Sequence, residues 1–158
     1  MKGKKNAISS GWSKAKAMYK VKIFSVGKTK ERWLEEAIDL YIKRLKGKMT
    51  IEWLFAKDDA ALLSQLNKER HFILLDENGK QHTSRQFSSM VIDELEKNGS
   101  RLNLVIGGAE GLPPSLKEKG NLISLSKLTF THQIARLTLV EQLYRALQIE
   151  QGTPYHKD

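Results

Sequence analysis

With 158 residues, 40% of them hydrophobic, the chain has material for one domain with a substantial core and too little for two of ordinary size. It has no cysteine, which excludes disulfide frameworks, thiolate metal sites and thiol nucleophiles, and it shows no apolar run that reads as a membrane span or a secretory signal. The formal charge of +9 sits at the start: residues 1–20 hold six lysines and no acid, which leaves 21 basic against 18 acidic residues beyond them, a net of only +3. Global charge is therefore weak support for a nucleic-acid partner, and only a local basic patch would carry that reading.

In chain order, residues 1–18 read as a disordered basic leader, an extension or tag rich in Lys, Ser, Gly and Ala, with Met18 placed as a start residue before the first strand. Val21–Val26 is an apolar β-prone run ended by Gly27, and Leu34, Ile38, Tyr41 and Leu45 then recur at helical spacing over Glu31–Leu45. Thr50–Phe55 predicts a second strand, and Asp58–Leu66 a helix that Asp58 or Asp59 can cap. His71–Leu75 is a third strand, followed by a turn at Asn78-Gly79. Thr83 and Gln86 stand at capping-box spacing before a helix with Phe87, Val91 and Leu95 on one face, which Asn98-Gly99 ends.

Leu102–Ile106 predicts the fourth strand, Pro113-Pro114 the start of a short helix, Leu122–Leu125 a fifth strand and Thr131–Glu150 a long last helix. Strands alternating with helices imply a mainly parallel sheet covered on both faces, with binding sites at the carboxyl ends of its strands. Those ends fall at Leu75-Asp76, Gly107-Gly108 and Leu125-Ser126. The last helix has two apolar stripes, Ile134, Leu137, Val140, Tyr144 and Leu147 beside Leu139, Leu143 and Ala146, and a polar line through Thr138, Glu141, Arg145 and Gln148. So wide an apolar arc needs two covers: its own sheet, and a second subunit in a two-fold pairing that brings residues of both chains together.

The glycine-rich turn Gly107-Gly108-Ala109-Glu110-Gly111 departs from a dinucleotide fingerprint, with Ala109 in place of the second glycine and an acid where a phosphate would arrive. It suits a ligand that needs close backbone approach and tolerates a carboxylate. Gly27-Lys28-Thr29 imitates the end of a phosphate-binding loop but has Lys22 where that pattern requires glycine. Asp76 reads equally as a ribose contact or as the opening of a turn, and His132 more as a structural residue near a helix start than as a base.

Taken as an ordered set, Ile106–Gly111, Leu125–His132, Glu141-Gln-Leu-Tyr-Arg-Ala146 and Pro154-Tyr-His-Lys157, together with Lys22-Ile-Phe-Ser-Val-Gly-Lys28, closely resemble the RlmH family of ribosomal RNA methyltransferases. The resemblance runs from about Tyr19 to the C-terminus and implies a single SPOUT-type domain over residues 19–158, an α/β fold with a C-terminal trefoil knot. It implies a cytoplasmic homodimer that takes S-adenosylmethionine as methyl donor, needs no metal, and methylates N3 of a pseudouridine in helix 69 of 23S ribosomal RNA on the assembled ribosome, with neither DNA nor membrane as partner. The cofactor positions it implies are Leu75, Gly107, Leu125, Ser126, Lys127, Leu128, Thr129 and Phe130. Its catalytic set maps onto Glu141, Arg145, Tyr155 and His156, with the base left open between His156, Glu141 and release of the proton to solvent. A glycine-lined site without phosphate-binding lysines fits a sulfonium donor. The alternatives are a non-catalytic RNA-binding or ribosome-assembly module on the same fold, which has no reason to take up the donor, and a small-molecule methyltransferase, which would act on free pseudouridine.

Overall fold

Strands and helices alternate through residues 18–158, the part that the computed structural model describes: β1 Tyr19–Val26, α1 Arg32–Arg44, β2 Met49–Ala56, α2 Asp59–Leu66, β3 Ile73–Gln81, α3 Ser84–Lys97, β4 Arg101–Ile106, α4 Pro114–Lys117, β5 Asn121–Ser124 and α5 His132–Gln151. The expected disordered leader, Met18 apart, lies outside the described residues. The five strands form one sheet in the order β2-β1-β4-β3-β5, and every neighbouring pair is parallel. Helical crossovers are what allow parallel neighbours, and they cover both faces of the sheet.

The period-two alternation of side chains sorts the core into two layers. Val21, Ile23, Ile73, Leu75, Leu102, Leu104 and Ile106 face α1, α3 and α5, where they meet Leu34, Val91, Leu95, Leu139, Leu143 and Leu147. Their neighbours along the strands, Phe24, Leu74 and Val105, face the other way onto Leu62 and Leu66 of α2 and onto Leu112 and Leu116. Helix starts follow the expected chemistry. Asp58 accepts from the Ala61 N–H, Thr131 from the Ile134 N–H, and Thr83 and Gln86 close a full capping box. Gly152, with φ of 72°, ends α5 in the left-handed conformation that favours glycine.

Two expectations need correction. Asn78-Gly79 is not a turn that ends the third strand, because β3 continues through it to Gln81 with a register shift against β5 between Leu75 and Lys80. A side chain at Gly79 would bring its Cβ within 2.6 Å of the Ile123 backbone nitrogen, so this glycine serves close approach of two strands across a bulge. The second correction concerns α5. Leu139, Leu143 and Ala146 are core residues of the same chain, as are Val140 and Leu147, because α1 and α3 flank α5 and, with the sheet, supply the covers. What stays half-buried is a face with Ile134, Leu137, Thr138, Glu141, Tyr144 and Arg145.

Candidate active site

A cavity of about 350 Å³ opens at the carboxyl ends of β3, β4 and β5, walled by Leu75–Asn78, Ile106–Leu112 and the loop after β5. This is within the size range of small-molecule sites and at the edge of the sheet where parallel folds bind ligands. The glycine turn makes one wall. Gly107 needs to be glycine because its own loop folds back on it: a Cβ there would lie 2.5 Å from the Gly111 carbonyl carbon and 2.7 Å from the Leu112 nitrogen. Gly111 closes the turn at φ of 84°, and its N–H donates to the Gly108 carbonyl at 3.0 Å.

The loop after β5 makes the opposite wall and is held by short side-chain bonds. Ser124 Oγ donates to the Ser126 carbonyl at 2.8 Å, Ser126 Oγ accepts from the Leu128 N–H at 3.0 Å, and Thr129 Oγ1 donates to Glu77 Oε1 at 2.7 Å. The last bond ties this loop to the bulged end of β3. Of the eight cofactor positions expected from sequence, Leu75, Gly107, Leu125, Ser126, Leu128, Thr129 and Phe130 line the cavity, while Lys127 lies in the same loop with its side chain exposed and outside the lining.

Asp76, Glu77, Lys117 and His132 also line it, and the sequence singled out only the first and last of these. Asp76 makes the local contact of the turn reading, accepting from the Asn78 N–H at 2.8 Å, and pairs with Lys117 Nζ at 3.0 Å within the wall. Burial opposes its ionisation, but the Asn78 N–H and the Lys117 ammonium outweigh burial and hold the carboxyl below its ordinary value. Burial first, and the Arg136 charge second, push the His132 imidazole below its usual range, so it is neutral at pH 7. The wall therefore has carboxylates, main-chain groups and a neutral imidazole, with its one lysine already paired. Among the described residues no cluster of three His, Asp or Glu side chains is placed to hold a metal ion.

The second expected set forms a separate cluster. Arg145 donates to Glu141 Oε2 at 2.6 Å, the Tyr155 hydroxyl donates to the same oxygen at 2.8 Å, and Arg145 stands 3.1 Å from His156 Nδ1. A guanidinium can only donate, so Nδ1 accepts and the His156 proton sits on Nε2, which donates to Asp158 Oδ1 at 3.1 Å. Asp158 in turn takes a two-pronged contact from Arg85 at 2.8 Å on each oxygen, which anchors the end of the chain. The Tyr155 ring lies under Arg145 at 4.8 Å and edge-on to Tyr144 at 4.8 Å. Burial, then the bond to Glu141, push the Tyr155 phenol up, so it stays a donor. One donor is left over: Arg145 Nε is buried without a partner. Glu141, Arg145, Tyr155 and His156 thus come together but do not line the cavity, and at about 1.5 Å of rise per residue Glu141 lies roughly 14 Å along α5 from His132.

The family model described as "Predicted SPOUT methyltransferase" matches residues 19–156. The chain belongs to the SPOUT methyltransferase family. Among the relatives of this methyltransferase, a protein named "Ribosomal RNA large subunit methyltransferase H" from Protochlamydia amoebophila is 54% identical over 140 residues, covering 89% of this chain and all of the relative. Proteins of the same name from Prochlorococcus marinus and Streptococcus sanguinis are 41% and 36% identical, each match covering 87% of this chain and at least 95% of the relative. The solved structure of a probable methylase family protein from Haemophilus influenzae superposes with a TM-score of 0.57 at 9% identity, over 87% of this chain and 70% of that one, which is likeness of fold. In this SPOUT methyltransferase the site residues expected from sequence fall in the glycine-walled cavity, with Lys127 in its loop, and in the Glu141 cluster.

Proposed function

We propose that this protein transfers a methyl group from S-adenosylmethionine to large-subunit ribosomal RNA, at N3 of a pseudouridine in helix 69 of 23S rRNA within the assembled ribosome. The observation that carries the reading is the glycine-walled cavity at the strand ends of a SPOUT methyltransferase; the names of its relatives support ribosomal RNA as the acceptor. The residues present fit the donor: carboxylates and main-chain groups suit a sulfonium cation, and the single lysine is occupied by Asp76. When bound, the donor supplies an electrophilic methyl group. Leu75, Gly107 and the run Leu125–Phe130 would hold it, Lys127 by its place in the loop.

Glu141, Arg145, Tyr155 and His156 serve the RNA in this reading. Both Glu141 oxygens have donors, since Oε1 accepts from Gln142, and both His156 ring nitrogens have partners. The cluster is therefore arranged to orient the RNA, its own acid and imidazole being already engaged, which favours release of the N3 proton to water. Its distance from the cavity along α5 is the reason to include a homodimer, in which the half-buried α5 face pairs with a second copy and brings one chain's cluster to the other's cavity. The trefoil knot and the reading of residues 1–18 as an added leader belong to the same proposal.

The test is methylation of ribosomes, free large subunits and free pseudouridine from a strain lacking this modification, read by mass spectrometry of the helix 69 fragment. One added methyl group on the ribosomal pseudouridine supports the reading. Methylation of the free nucleoside alone, or no donor uptake by calorimetry, overturns it.

A further inference from the structure

The most unusual buried group in the molecule is Arg136. It is fully buried, and burial lowers its pKa to about 10. Its partners are uncharged oxygens, all in one short stretch: Ser25 Oγ at 2.9 Å, the Val26 carbonyl at 2.8 Å, the Gly27 carbonyl at 2.6 Å and Thr29 Oγ1 at 2.9 Å. The Phe55 ring closes the cage at 5.0 Å. Sinking a cation this deeply is expensive, and four hydrogen bonds to one loop offset it. The consequence is that the connection between β1 and α1 is tied at four points to α5.

What that fixed loop presents is positive. Lys28, Lys30 and Lys57 are exposed, and none forms an ion pair among the described residues. Lys57 belongs to the same rim because Val26 is in register with Ala56 and the Gly27 N–H donates to the Ala56 carbonyl. The acids beside them are Glu36, which Arg32 engages, Asp58, which caps α2, and the exposed Glu31, Glu35 and Asp59, so the three lysines are distinguished by their place on the rim and not by net charge. Beside the lysines stands Trp33, 56% exposed, at the start of α1. The rim also adjoins the cavity, since a Cβ on Gly27 would lie 3.9 Å from Nε2 of His132, a wall residue.

We propose that this rim, Lys28, Lys30, Lys57 and Trp33, is a substrate-binding surface that grips the ribosomal RNA backbone and stacks an unpaired base on Trp33, beside the methyl-donor cavity. The inference rests on the reading of the protein as a ribosomal RNA methyltransferase. Lysines are depleted from the centres of protein interfaces, whereas cations interleaved with an aromatic ring suit a single-stranded RNA loop. Preordering by Arg136 lets the cations meet phosphates with less of the loop left to immobilise.

The experiment measures KM for ribosomes, its salt dependence and donor affinity. The triple variant Lys28→Ala/Lys30→Ala/Lys57→Ala is expected to raise KM about ten-fold or more and to flatten the log–log salt slope by about 2, from roughly 0.7 per single-strand phosphate contact. Donor affinity by calorimetry stays within about two-fold of wild type, because none of the three lysines lines the cavity. The matching lysine-to-arginine triple keeps the slope, and Trp33→Ala raises KM by about five-fold or more through lost stacking. An unchanged KM and slope in the alanine triple overturns the rim. A Trp33→Ala protein that falls apart into monomers assigns the ring to a second copy and overturns its stacking role. A wild-type protein that methylates no ribosomal RNA overturns the enzymatic reading instead, and the rim with it.

Discussion

At the scale of single residues, the site depends on the missing side chain of Gly107 and on the charge of Asp76. Adding one methyl group at Gly107 places a carbon 2.5 Å from the Gly111 backbone, which cannot yield as a flexible side chain would. Gly107→Ala should therefore open the turn, cost about 1–3 kcal/mol of stability as overpacking does, and reduce donor affinity more than ten-fold, about 1.4 kcal/mol per decade. Calorimetry with S-adenosylmethionine and a urea melt check both, and normal affinity in the variant would remove the glycine turn from the site. Asp76 gives a pH prediction with a definite sign. Its folded value is depressed, so its stabilising contribution is present above the unfolded value of about 3.9 and is lost as the pH falls through the lower folded value. Between pH 5 and pH 3 the wild-type urea midpoint should thus drop further than that of Asp76→Asn, and equal drops would show that Lys117 and Asn78 do not favour the charged form.

At the scale of elements, much of the architecture was legible because strands and helices each carried their own period. Ile23, Leu104 and Leu75 alternate with Phe24, Val105 and Leu74, and the caps Asp58, Thr83 and Thr131 are local chemistry that survives folding unchanged. Asn78-Gly79 misled because the same dipeptide that makes a turn also lets two strands come close, and only the partner strand decides between them. The cavity wall was legible at its glycines and strand ends, whereas Glu77 and Lys117 were not, since their partners Thr129 and Asp76 lie 52 residues away in one case and on another element in the other. The wide apolar arc of α5 showed that more than one cover was needed without saying that α1, α3 and the sheet bury the Leu139–Leu143 stripe within the chain and leave the Leu137 side half-buried. A paired substitution separates its faces. Leu143→Ala, at a fully buried position, should cost about 2–5 kcal/mol of stability in a urea melt. Leu137→Glu, on the half-buried face, should instead shift sedimentation toward a monomer with the thermal midpoint little changed. Equal destabilisation by both would show that the second face is core as well.

At the scale of the whole molecule, the question is how two clusters separated along α5 act on one RNA. The tail is pinned, not frayed: Arg85 holds Asp158, His156 and Tyr155 bond to Arg145 and Glu141, and Tyr155 packs against Tyr144. None of the cavity's wall comes from beyond Ala135. Deleting Pro154–Asp158 should therefore abolish methylation of ribosomes while leaving donor affinity within a few-fold, because it strips the Glu141 cluster and spares the cavity. A mixing experiment then tests whether the cluster works across copies. Tailless chains have a sound cavity but no cluster, and Gly107→Val chains have a sound cluster but no cavity. If each active centre draws its cluster from the neighbouring chain, combining the two dead proteins restores activity, since a mixed dimer contains one cavity facing one intact tail. If each centre is built within one chain, the mixture stays inactive, for no chain in it holds both parts. Restored turnover would establish the dimer as the unit of catalysis. Full activity of the tailless protein alone would instead reduce Tyr155 and His156 to packing against α5.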